Sequence, residues 1–79
     1  MPIVLRRDGF RFFFFSNEGA PREAPHIHVR KADGEAKFWL ETPALASSDG
    51  IDPRTLRELL RIVETERDLF LRAWHEHFG

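Results

Sequence analysis

The chain contains no cysteine, which excludes disulfides, thiolate metal sites and a cysteine nucleophile. A small domain without such staples depends on side-chain packing, helped by oligomerisation or a partner. No apolar run approaches the roughly 18 residues of a membrane span. Arg6, Arg7 and Asp8 interrupt the apolar start, so the N-terminus has no signal-peptide pattern and a cytoplasmic protein is expected. There is no excess charge of one sign, with 12 Lys and Arg against 13 Asp and Glu. That balance disfavours a strong nonspecific nucleic-acid binder, which needs a basic field, but it allows a local basic patch. The chain also lacks a nucleophile elbow, a glycine-rich phosphate loop and a Ser-His-Asp order.

At 79 residues there is room for one ordinary domain, taken here as residues 1–79. With 42% hydrophobic and 32% charged residues the composition is globular rather than disordered.

The N-terminal part alternates strands and turns. Residues 2–7 read as a strand, Asp8-Gly9 as a two-residue hairpin turn, and Phe10 to Ser16 as an aromatic return strand. That turn sets Leu5 opposite Phe12, Ile3 opposite Phe14, Val4 opposite Phe13 and Pro2 opposite Phe15. Pro2 cannot donate to a ladder, which puts the first strand at a sheet edge. Asn17 to Ala24, with Gly19 and Pro21, reads as a loop. A second hairpin follows, from Pro25–Lys31 through Asp33-Gly34 to Glu35–Glu41. Its expected register pairs Val29 with Phe38 and Ile27 with Leu40 on an apolar face. The opposite face then pairs His26 with Glu41, His28 with Trp39, and Arg30 with Lys37.

Thr42 to Gly50 reads as a connection, with a short turn at Ala44-Leu45-Ala46. Asp52 is placed to cap a helix, Pro53 suits its first position, and Ile51 and Leu56 have the spacing of a hydrophobic staple. Apolar residues then recur at helical spacing from Leu56 to Trp74, predicting one helix from Pro53 to about Phe78. Such a helix spans roughly 39 Å and a six-residue strand about 20 Å, so the helix overhangs the sheet. Leu71 and Phe78 fall in the overhang, which needs cover from another chain or from the N-terminal hairpin. The expected fold is α+β, a four-stranded antiparallel sheet of two hairpins packed on one long C-terminal helix.

One helix covers one face of a sheet. The other face carries His26, His28, Arg30, Lys37, Trp39 and Glu41, extended by Phe13 and Phe15. Aromatics among Arg, Lys and His have the composition of a recognition surface. Three chemistries stay open there. The first is a protein contact, with a partner or with a second copy in a homodimer. The second is nucleic acid, the less favoured, with Trp39, Phe13 and Phe15 stacking while Arg11, Arg30 and Lys37 meet phosphates. The third is a small metal- or RNA-directed enzyme, ribonuclease-like, using His26, His28 and Glu41 for acid–base work or to hold a divalent transition metal. A His-x-His pair on one strand face suits a metal; otherwise no cofactor is expected. His75 and His77 lie about 200° apart on a helix, cannot share a metal, and suit the last-turn carbonyls.

Phe10-Arg11-Phe12-Phe13-Phe14-Phe15-Ser16-Asn17-Glu18, Pro25-His26-Ile27-His28-Val29, Ala36-Lys37-Phe38-Trp39-Leu40-Glu41 and Ala73-Trp74-His75-Glu76-His77-Phe78 follow in that order. In this the chain resembles the small bacterial family of the DUF4160 domain of unknown function, over nearly its whole length. The segment around Arg22 to Ala24 departs from the family's pattern by being longer. The resemblance implies a stand-alone cytoplasmic bacterial protein from a two-gene, toxin–antitoxin-like module, with a small protein partner encoded by the neighbouring gene. It brings no activity. It places the family's Pro-His-x-His and Lys-Phe-Trp segments on His26, His28, Lys37 and Trp39.

Overall fold

A computed structural model describes residues 3–15 and 23–79. Five strands are followed by two helices: β1 (Ile3–Arg7), β2 (Phe10–Phe13), β3 (His26–Lys31), β4 (Gly34–Trp39), β5 (Ala44–Asp49), α1 (Pro53–Thr65) and α2 (Arg67–Phe78). The strands form one antiparallel meander in the order β1-β2-β3-β4-β5, with β1 at an edge as expected. The α+β class stands, but the sheet has five strands rather than four and the single long helix is two.

The first turn follows its local chemistry. Asp8 and Gly9 have φ of 55° and 81°, the positive values that a two-residue hairpin turn demands. Leu5 pairs with Phe12 as expected, but an irregularity between Ile3 and Leu5 brings Ile3 opposite Phe13 instead of Phe14. Val4 therefore loses its expected place opposite Phe13. The return strand ends at Phe13 rather than Ser16. Pro2, the Pro2–Phe15 pairing and the Asn17-to-Arg22 part of the expected loop lie outside the described residues.

The second hairpin turns one residue earlier than expected, at Ala32-Asp33, and Lys31 pairs with Gly34. The register therefore moves by two: Val29 faces Ala36, Ile27 faces Phe38, His26 faces Trp39, His28 faces Lys37 and Arg30 faces Glu35. A shift of two keeps every side chain on its predicted face. The reason lies outside the hairpin. A Cβ on Gly34 would stand 2.7 Å from Ile51 Cγ1 and 2.8 Å from the Gly50 carbonyl oxygen. Gly34 thus serves a close approach of backbone inside the sheet rather than the turn. Ala32 takes the left-handed φ of 51° in its place.

β5 occupies the segment read as a connection and short turn. Ala-Leu-Ala-Ser-Ser-Asp has little β-propensity, and every residue of the strand is exposed. Backbone pairing with β4 holds it, with Trp39 opposite Ala44 and Glu35 opposite Asp49.

The helix starts as its sequence dictates. Asp52 accepts from the Thr55 amide at 3.2 Å and the Thr55 hydroxyl at 2.6 Å, and Pro53 opens the first turn. The break falls at Glu66, with φ −99° and ψ 17°. No proline or glycine stands there, but two tethers do. Glu66 takes an ion pair from Arg7 of β1 at 2.9 Å, and Arg67 donates to the Leu40 and Glu41 carbonyls at 2.8–3.2 Å. The longest extent of the Cα trace is 33 Å, shorter than the straight helix of the sequence reading. The bend keeps both halves near the sheet, and the N-terminal hairpin gives the remaining cover: Phe14 meets Trp74 edge-on at 5.3 Å and Phe78 at 5.9 Å. The core between the layers includes Phe12, Ile27, Val29, Phe38, Leu40, Leu59, Val63 and Phe70.

Gly34→Ala is expected to lower unfolding free energy by about 1–3 kcal/mol through overpacking against fixed backbone, read by urea titration; an unchanged midpoint would refute the close-approach account. The Thr55 contacts hold the Asp52 carboxyl below its ordinary 3.8. A lowered folded value means stabilisation that is present above the unfolded value and lost as pH falls through the folded one. The melting-temperature gap between wild type and Asp52→Ala should therefore be full well above the ordinary carboxyl value and shrink as the pH falls below it.

Candidate functional site: the open face of the sheet

Alternation along β2, β3 and β4 sends Phe12, Ile27, Val29 and Phe38 to the helices and Phe13, His26, His28, Arg30, Lys37 and Trp39 to the other face. Directly paired residues share a face, so the ladders set these side chains in rows. One row is Phe13–His28–Lys37–Ser47, and the next is His26–Trp39–Ala44. The predicted cluster is therefore assembled, apart from Glu41.

Glu41 was expected opposite His26. It lies instead in the exposed turn between β4 and β5, with its carbonyl held by Arg67, and Trp39 takes the position facing His26. The two-residue register shift causes this. The described residues contain no group of three or more His, Asp or Glu side chains placed to hold a metal. His26 and His28 stand with ring centroids 5.1 Å apart. Since a carbonyl can only accept, His26 Nδ1 donates to Ala24 O at 2.9 Å, and any metal at His26 would have to use Nε2.

The two histidines differ in setting. His26 is fully buried, with Trp39 at 5.8 Å on the open face and Trp74 of α2 at 4.9 Å. His28 is half-buried and lies among Phe13 at 5.7 Å and Phe15 at 4.7 Å. Phe13, expected to be an exposed aromatic, is only 3% exposed. Its ring is enclosed by Phe15, His28 and the Arg30 guanidinium, the last 5.8 Å from the centroid. Within this cluster, the accessible surface belongs to half-buried Phe15, His28, Arg30, Lys37 and Trp39. Lys37 Nζ sits 4.7 Å from the Trp39 ring and 3.5 Å from Glu23 Oε1. Arg30 is paired with Glu35 at 2.8 Å.

A groove of about 440 Å³ opens on this face, lined by Phe15, His28, Arg30, Lys37, Ser47 and Asp49 among others. Ser47 and Asp49 belong to β5, so the sequence reading missed them with the strand that carries them. Their alternation of small and polar residues gave no burial signal to follow. His75 and His77 lie in the last turn of α2, as expected, and both are exposed.

The chain is thus a two-layer α+β protein that presents one mixed aromatic and cationic sheet face. The family model described as Domain of unknown function (DUF4160) matches residues 9–75, and the chain belongs to that family. No curated protein and no solved structure matches it. No helix among the described residues is long and apolar enough to cross a membrane.

The contrast between the histidines is measurable. His26→Ala should cost about 2–4 kcal/mol, from a buried ring and a lost hydrogen bond, whereas His28→Ala should cost less than half as much. Equal losses in chemical denaturation would contradict the full burial of His26 and the partial exposure of His28.

Proposed function

We propose that the chain is a binding module that docks a small protein partner on the open sheet face, as one component of a two-gene toxin–antitoxin-like system. The groove carries this reading. It lies on the face that the helices leave uncovered, and its polar and aromatic side chains are already held in place by one another. Pre-positioned long side chains lower the ordering cost of association. Trp39 lies beside the groove, half-buried against its lining residue Lys37 and against His26, and is the anchor of this reading, since hot spots are enriched in Trp and Arg. The two-gene setting and the neighbouring gene as the partner's source come from the family resemblance. The same setting supports a bacterial, cytoplasmic home.

Placing Glu41 in the turn weakens the enzyme alternative, because the carboxylate expected to work with His26 is elsewhere.

Tagged protein recovered from its own host should co-purify with a small protein. Trp39→Ala should weaken that complex by at least ~2 kcal/mol, about 30-fold in Kd. An unchanged affinity would remove the partner from this face, and no co-purifying protein would remove the partner altogether.

A further inference from the structure

The ladders place a third row on the open face, and it crosses the whole sheet: Arg6 of β1 faces Arg11 of β2, Arg11 faces Arg30 of β3, Arg30 faces Glu35 of β4, and Glu35 faces Asp49 of β5. Three cations are followed by two anions. Like charges directly opposite one another destabilise a sheet, and this row sets like charges on paired positions at Arg6–Arg11, at Arg11–Arg30 and at Glu35–Asp49. Only its centre is compensated, by the 2.8 Å pair of Arg30 with Glu35. Arg6 and Arg11 are exposed, and among the described residues neither has a carboxylate within ion-pair distance. Arg7, next in sequence, points to the other face and is paired with Glu66. A row that breaks a local rule of sheet stability, compensated among the described residues only at its centre, is a candidate for a role outside the fold.

The geometry points to a ligand of complementary order: an extended peptide segment of the protein partner, laid across the strands, with acidic residues over Arg6, Arg11 and Arg30 and basic residues over Glu35 and Asp49. This rests on the protein-docking reading above and adds the chemistry and direction of the docked segment. Five strands about 4.8 Å apart span roughly 19 Å, and six extended residues span about 20 Å with alternate side chains, roughly 6.7 Å apart, facing the sheet. Such a segment presents two acidic side chains to the arginine end of the row and one basic side chain to the carboxylate end. Nucleic acid fits the row less well. A phosphate backbone following it would run onto Glu35 and Asp49, and Phe13, one of the three rings expected to stack on bases, is enclosed.

The test uses the full chain and the fluorescein-labelled peptide Glu-Glu-Glu-Ser-Lys-Lys, with Glu-Glu-Glu-Ser-Glu-Glu and octauridylate as competitors, followed by anisotropy at low salt and at about 0.15 M, where screening acts over about 8 Å. The mixed-charge peptide should bind best, weaken with salt, and lose tenfold or more in affinity to an Arg6→Gln/Arg11→Gln double variant. That variant should melt no lower than the parent, because it removes a repulsive contact. Equal or tighter binding of the all-acidic peptide or of octauridylate overturns the proposal, as does undiminished binding to the double variant or a lower melting temperature. A native partner that the double variant retains and Trp39→Ala loses would overturn the charged row and leave the docking face standing. Loss of the partner from neither chain would overturn both.

Discussion

The stacking of β2 on α2 is the contact on which the arrangement depends. Phe12 lies parallel to Phe70 with centroids 5.5 Å apart, and Phe14 sits edge-on to Trp74. Aromatic pairs of this kind add about 0.5–1.5 kcal/mol beyond the area they bury. Their position matters more than their number. They join the first hairpin to the last helix, so the two ends of the chain close the same core. Phe78, which a straight helix would have carried into solvent, comes back against Phe14 and Trp74.

That closure decides what the other face can be. Both helices lie on one side, and the opposite side is left to side chains that order one another: Lys37 over Trp39, Arg30 against Glu35 and Phe13, His28 between Phe13 and Phe15. Most of these contacts are partly exposed and individually weak. Together they give a surface whose side chains are positioned before any partner arrives.

Much of this was legible in the residues. The Asp8-Gly9 turn, the Asp52-Pro53 helix start and the division of His28, Lys37 and Trp39 from Ile27, Val29 and Phe38 follow from local chemistry and from the two-residue period of a strand. The division of faces survived an error in register because the error was an even number of residues. Other features were not legible, each for a reason. β5 is held by backbone pairing and buries none of its side chains, so it has no hydrophobic pattern. The helix breaks at Glu66 without proline or glycine, where tethers to Arg7 and to the Leu40–Glu41 carbonyls converge. Glu41 lost its place beside His26 to the same register shift that put Trp39 there.

The sequence by itself determined which residues are strand or helix formers over most of the chain and which side of a strand each occupies, because those properties repeat over a few neighbouring residues. Beyond the Asp8-Gly9 turn, which sets Leu5 opposite Phe12, tertiary structure decided which residues meet across the ladders. The close approach of Gly50 and Ile51 to Gly34 set the register of the second hairpin, and the register set the rows. It is the rows that bury Phe13 and align Arg6, Arg11 and Arg30 with Glu35 and Asp49. Contacts of that kind join residues distant in the chain, and no local period encodes them.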